Sequence, residues 1–208
     1  MEIIFSDRNM VVCVKPVGVD SEQEMPRLLT QILGGQIFPL HRLDQNVGGL
    51  MVYARTKPAA AQLSKAIADG TMIKEYVAMV HGMPPQSGDW QDLLFKDSRK
   101  NKVFVVKRQR AGVKAARLTY SVIRAGECSL VAVRLYTGRS HQIRVQFSSR
   151  GFPLVGDHKY GSKAPETAPM LHSCRLTFPY ADQTLSFEHF PDWAKCKVVE
   201  EKDFPNHR

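Results

Sequence analysis

The chain has 208 residues, 43% of them hydrophobic and 24% charged, a balance that suits one good-sized domain over residues 1–208 and excludes global disorder. Its apolar runs fall far short of the ~20 residues a membrane helix needs, and the start Met1-Glu2-Ile3-Ile4-Phe5-Ser6-Asp7 lacks the basic-then-apolar pattern of a secretory signal, so a soluble, cytoplasmic protein with no membrane partner is expected. Lys and Arg number 29 against 20 Asp and Glu, a net charge of +9 that favours a polyanionic partner.

Taken in chain order, apolar periodicity and turn signals predict a strand over Met10–Val14, a helix over about 26–33 ahead of Gly34-Gly35, and a strand over Leu50–Ala54. Thr56 is placed to cap a helix over 57–69, with Pro58 in its first turn, Gly70 past its end, and Leu63, Ala66 and Ile67 inward. Lys74–Val80 alternates so that Tyr76, Ala78 and Val80 share one face of a strand. Further strands are predicted over Lys102–Val106, Lys114–Arg124, Ser129–Leu135 and Thr184–Phe187. Between the last two, Ser140 could cap a helix from His141 to Arg150 that Gly151 and Pro153 stop. Many strands, few helices and no regular βαβ alternation indicate an α+β domain on a mixed, largely antiparallel sheet with a few flanking helices. Cys13, Cys128, Cys174 and Cys196 form no C-x-x-C pair and read as buried thiols, neither zinc ligands nor a disulfide framework.

The positive charge is concentrated. From Ser98 to Gly126 there is no acid, while Arg99, Lys100, Lys102, Lys107, Arg108, Arg110, Lys114, Arg117 and Arg124 all fall there. Ala116, Leu118, Tyr120 and Val122 alternate with period two, which argues against a membrane-surface helix. Either a solvated hairpin face or a β-ribbon meeting phosphates fits, and the ribbon fits better.

Three segments carry candidate chemistry. His41-Arg42-Leu43-Asp44 lies on a loop entering the strand at Leu50, where Asp44 is either a reactive carboxylate or a turn residue capping backbone and pairing with Arg42. Tyr76 is either a sheet-face aromatic or a surface for a ligand. Leu135-Tyr136-Thr137-Gly138-Arg139-Ser140-His141-Gln142-Ile143-Arg144 runs from a strand through a glycine turn into a donor-rich helix start suited to phosphate or carboxylate. A guanidinium there can hold a carboxylate by two parallel bonds and keep it ionised.

With these motifs in order, the chain resembles the pseudouridine synthases of the RluA type, which isomerise uridine in ribosomal and transfer RNA. The resemblance runs from Lys15-Pro16-Val17-Gly18-Val19, the K-P-x-G turn, through His41-Arg42-Leu43-Asp44 and Lys74-Glu75-Tyr76. It continues through Thr137–Arg144 and Gly156-Asp157-His158-Lys159-Tyr160-Gly161, and ends near Leu171-His172-Ser173 and Pro191-Asp192-Trp193. It implies that Asp44 is the catalytic aspartate, that Tyr76 lies against the target base, and that Arg144 pairs with the aspartate. It also implies that Arg42 enters the space left by the extruded uridine and that Leu171 lies near the base. Arg139 and His141, together with Lys107, Arg108 and Arg110 of the basic band, are expected to contact RNA.

Where relatives read H-R-L-D-x-x-T-S-G, this chain has Val47-Gly48-Gly49, which removes two possible hydrogen bonds and adds a flexible glycine. The small RNA-binding domain that many relatives carry upstream of the aspartate is missing from this sequence, so the core is expected to recognise RNA by itself, as a monomer. The isomerisation involves no net redox change, so no cofactor is expected. No metal is expected either, since His41, His81, His141, His158 and His172 lack tight ligand spacing. Asp157 reads as a turn residue. An alternative of another class is a catalytically silent RNA-binding module or RNA-folding assistant on the same fold, against which the intact Asp44, Tyr76 and Arg144 argue.

Overall fold

In the computed structural model, residues 1–195 and 201–205 are described; Cys196 lies outside them. In chain order the elements are β1 (Glu2–Ser6), β2 (Met10–Lys15), α1 (Glu24–Leu33), β3 (Phe38–Pro39), β4 (Gly48–Ala54), α2 (Lys57–Ala68) and β5 (Ile73–His81). There follow β6 (Ser87–Asp97), β7 (Lys102–Val106), β8 (Val113–Arg124), β9 (Cys128–Leu135), α3 (Gln142–Ser148), β10 (Leu171–Tyr180), β11 (Gln183–Glu188) and α4 (Asp192–Lys195). Single 3-10 turns stand at His158–Tyr160 and Glu201–Asp203. The α+β class holds: the strands are mixed but mostly antiparallel, and the helices are few. No helix among the described residues is long and apolar enough to cross a membrane. The chain groups into two compact units, Met1–Lys74 with His172–Pro191, and Glu75–Leu171 with the described residues from Asp192 onward.

In the first unit, β2 pairs antiparallel with both β1 and β4, β10 joins β4 in parallel, and β11 closes on β10 as a hairpin. Every residue of β4 is buried, so the strand has both faces covered. Met10, Val12, Leu50, Val52 and Ala54 meet Ala59, Leu63 and Ala66 of α2 on one side. The expected Thr56 cap is present, its hydroxyl accepting from the Ala59 N–H at 3.4 Å. On β4 the Tyr53 hydroxyl donates to the Ser21 carbonyl, just ahead of α1. Gly48, the added glycine, and Gly49, which matches the pattern, both lie inside this strand and not in a flexible loop. Gly49 has φ +121° and stands so close to β10 that a Cβ would meet the Ser173 nitrogen and carbonyl oxygen at 2.4 Å.

In the second unit the strand order is β5-β9-β8-β6-β7. Here one expectation is corrected. The two basic strands β7 and β8 do not form a ribbon with each other, because β6 stands between them and pairs antiparallel with both. Alternation on β5 is also hidden, since Glu75 through Val80 are all buried, with the Glu75 carboxylate answered by Arg134 at 2.9 Å. The third helix is shorter than predicted and is not opened by Ser140: it begins at Gln142, after His141 in the left-handed region (φ 51°). Its Phe147 packs edge-on against Trp90 of β6 and Tyr120 of β8, at centroid distances of 4.7 and 5.2 Å. Of the described cysteines, Cys13 and Cys174 are buried as expected, while Cys128 is only partly covered.

The contact between Gly49 and Ser173 gives a sharp test. Gly49→Ala combines an unfavourable backbone conformation with a backbone clash that no rotamer relieves, and is expected to cost about 3 kcal/mol or more. Equilibrium urea unfolding of the two proteins measures it.

Candidate active site

The loop that carries Asp44 is tied down by a buried cation. Lys15 ends β2 with its side chain wholly out of solvent, and its ammonium donates to the carbonyls of Pro16 and Val19, each at 2.8 Å, and of Gln45 at 3.1 Å. Gly18 and Gln45 add two reciprocal bonds: the Gly18 N–H reaches the Gln45 carbonyl at 2.8 Å, and the Gln45 Nε2 reaches the Gly18 carbonyl at 2.9 Å. The K-P-V-G turn and the residue after Asp44 therefore move as one piece. Asp44 itself opens a turn closed by Val47 N–H on the Asp44 carbonyl, between buried Leu43 and Val47, and is left half-buried. Burial pushes the Lys15 ammonium down to about 8, against the attraction of Asp20, Asp44 and Glu24, which holds it up. Asp44 thus sits in the field of a buried cation, which water screens less than an exposed one.

The neighbours of Asp44 differ in how firmly they are held. Arg42 makes a half-exposed ion pair with Glu22 at 3.2 Å, worth about 0–1 kcal/mol and easily given up. His41 points the other way: its Nε2 accepts from the Val52 N–H at 3.2 Å, and burial, with Lys74 adding, pushes its pKa down to about 3. It is a neutral structural acceptor. His172, at the start of β10, is likewise pushed down to about 3 by burial, with its Nε2 2.9 Å from His189 Nδ1.

The second unit carries Tyr76, Arg139, His141, Arg144 and Leu171, along with the basic band. Tyr76 and Leu171 are buried on β5 and at the head of β10. Arg144 projects from α3 with 5% of its side chain exposed, and grips Asp157 (1% exposed) by a two-bond fork, Nε to Oδ2 at 2.6 Å and Nη2 to Oδ1 at 2.9 Å. Asp157 is therefore more than the turn residue expected. The Arg144 guanidinium also lies 5.2 Å from the ring centre of Tyr160. Breaking a buried pair of this kind by removing one partner costs about 3–5 kcal/mol.

Spacing does not single out Gln142 or Tyr160, yet both organise the segment. Gln142 Oε1 accepts from the Thr137 hydroxyl at 2.7 Å and the Arg139 N–H at 3.1 Å, closing the turn before α3. The Tyr160 hydroxyl lies 2.9 Å from His141 Nδ1 and accepts from the Val103 N–H at 2.8 Å. Arg139 is exposed, with its Nε on the Ala115 carbonyl at 2.9 Å. Lys107 and Arg108 are exposed at the end of β7, and Arg110 lies 4.6 Å from the centre of the Phe95 ring. Arg117, by contrast, is engaged by Asp89 at 2.8 Å. The band is thus a set of exposed cations around the β7–β8 connection, with Arg117 already paired beside it.

The RNA pseudouridylate synthase family model matches residues 9–149, a stretch that includes Lys15, Asp44, Tyr76 and Arg144. The chain belongs to the RNA pseudouridylate synthase family. It is 32% identical over 190 residues to the dual-specificity RNA pseudouridine synthase RluA of Escherichia coli, covering 86% of each chain. It is 29% identical to the ribosomal large subunit pseudouridine synthase D of Zymomonas mobilis over 83% of this chain, and spans 60% of that relative's length. The RluA-type resemblance read from the motifs is borne out. Among solved structures, human RNA pseudouridylate synthase domain containing 4 superposes with a TM-score of 0.75 at 26% identity, over 92% of this chain and 89% of that one. Human RNA pseudouridylate synthase domain containing 1, at 24% identity and a TM-score of 0.80, covers 92% of this chain and 83% of its own, and shares the fold.

The depressed histidines make stability depend on pH. His41 and His172 titrate near 6.5 when unfolded and near 3 when folded, so the unfolded chain binds more protons between those values. Their stabilising contribution is complete above 6.5 and is lost as the pH falls toward 3. Urea unfolding at about pH 7 and about pH 5 should show lower stability at the acid value, and a smaller drop in His41→Gln, which keeps an acceptor for Val52 but does not titrate.

Proposed function

We propose that this chain isomerises uridine to pseudouridine in structured RNA, with Asp44 as its catalytic carboxylate, Tyr76 against the target base and Arg144 as the guanidinium serving the aspartate. The reaction breaks the N1–C1′ bond, lets the uracil turn, and forms a C5–C1′ bond, with nothing oxidised and nothing lost. A single carboxylate can carry it, either as a nucleophile on the sugar or uracil or as a base removing a sugar proton. The observation that carries this reading is the Asp44 loop: a half-buried carboxylate on a backbone pinned by the Lys15 ammonium, inside the segment that matches the family.

The target base must leave its stack at a cost of a few kcal/mol, which groups entering the gap would offset. Arg42 suits that task, because its half-exposed pair with Glu22 is weak and easily given up. Leu171 offers an apolar wall for the base. Arg139, His141, Lys107, Arg108 and Arg110 contact the RNA around it. Relatives named for the ribosomal large subunit support ribosomal RNA as the substrate, and transfer RNA is the other class the resemblance implies. We take residues 1–208 to work as one catalytic domain, as a cytoplasmic monomer.

Asp44→Asn removes charge and nucleophilicity with little change of shape. It is expected to abolish release of tritium from RNA carrying [5-³H]uridine, while RNA affinity stays within a few fold; turnover near the wild-type rate would show that another group does the chemistry. Affinity should also fall with salt, at a log–log slope of about −0.7 for each phosphate neutralised on single-stranded RNA. Replacing Lys107, Arg108 and Arg110 together by Gln is expected to flatten that slope in filter-binding titrations. An unchanged slope would mean that these cations face only solvent.

A further inference from the structure

We propose that Asp157 is the positioning residue of Arg144: it sets where the guanidinium lies and so governs the rate of the chemical step without touching RNA. This rests on the reading of Arg144 given above and adds to it a residue for which composition and spacing supplied only a turn.

The fork between the two side chains has both carboxylate oxygens engaged, at 2.6 and 2.9 Å, and both partners are almost wholly out of water. Two parallel bonds fix the plane and rotation of a guanidinium as well as its distance, which one bond cannot do. The carboxylate is itself held by its own backbone. Asp157 N–H donates to the Leu154 carbonyl, and the Asp157 carbonyl accepts from Tyr160 and Ser162 N–H, all at 3.0 Å. Just before it, Gly156 has φ +78° and a Cβ there would come within 2.1 Å of the Ala168 carbonyl oxygen, so the backbone at this point is packed against the returning loop. Ser162 Oγ accepts from the Gly156 N–H at 3.0 Å and lies 2.9 Å from His81 Nε2.

A surface turn would need none of this. The same short segment supplies Tyr160, whose ring faces Arg144 at 5.2 Å while its hydroxyl is fixed by Val103 and His141. Asp157 and Tyr160 thus hold the guanidinium by its edge and its face, and the length and burial of the segment follow from that task.

The test is a double-substitution cycle on the full chain, read as single-turnover tritium release with saturating enzyme, beside RNA affinity and thermal unfolding. Asp157→Asn keeps the size and loses the charge. It is expected to slow the single-turnover rate roughly 10- to 100-fold, as a shift of about 1 Å in a catalytic group does, with RNA affinity unchanged. Asp157→Glu restores the charge with the carboxylate displaced, and should fall between Asn and wild type. The combination Asp157→Asn with Arg144→Met should be no slower than Arg144→Met alone, because Asp157 acts only through Arg144.

Wild-type turnover in Asp157→Asn while Arg144→Met is inactive overturns the proposal and leaves the reading of Arg144 standing. Wild-type turnover in Arg144→Met overturns that reading, and the proposal with it. Additive losses in the double variant would show that Asp157 only supports the fold. Should Asp157→Asn fail to fold, the Glu variant decides: a several-fold slower rate at unchanged affinity supports the proposal, and a wild-type rate overturns it.

Discussion

A lysine ammonium taken wholly out of water is costly unless its hydrogens find acceptors, and at Lys15 they find three backbone carbonyls. Two of those belong to the turn that follows Lys15, and the third belongs to Gln45, next to Asp44. Satisfying the cation therefore forces two loops distant in sequence into one fixed arrangement. The burial that costs the ammonium some of its basicity also weakens the screening of its charge, which the carboxylates around it feel, Asp44 among them. The K-P-x-G turn makes physical sense as a clamp on the loop that carries Asp44.

The arginine of the second unit is handled in another way. Arg144 is buried and its charge is answered by a carboxylate in a planar fork, a geometry that a lysine could not reproduce. Lys15 and Arg144 are thus both buried cations, one satisfied by carbonyls and the other paired with a carboxylate. In both cases the partner lies on a turn rather than in a regular element. Turns can present several carbonyls or a carboxylate toward one point, and the sheets behind them supply the rigidity.

That rigidity comes from close backbone approach as much as from side-chain packing. Gly49 lets β4 and β10 come together where any side chain would collide with Ser173, just after the Asp44 loop enters its strand. At positions 47 and 48, Val47 is buried and Gly48 pairs with His172 of β10, a pairing that the sequence alone did not reveal.

Local pattern was enough to locate β2, β4, β5, β7, β8, β9 and the helix capped by Thr56, because each is an apolar run or alternation bounded by turn residues. Order and spacing of short motifs were enough to give the family, and the resemblance nominates Asp44, Tyr76 and Arg144. β10 escaped, since His172, Ser173 and Arg175 read as polar breaks but are buried, Arg175 against Glu188. β6 escaped because Ser87-Gly88-Asp89 looks like a turn, and with it went the pairing of the two basic strands. The partner of Arg144, the clamp on Asp44 and the placement of β6 all depend on groups far apart in the chain meeting in space. A carboxylate in a Gly-Asp-His turn is identical on paper whether it caps its own backbone or holds an arginine on α3, and only the folded chain brings that arginine within reach.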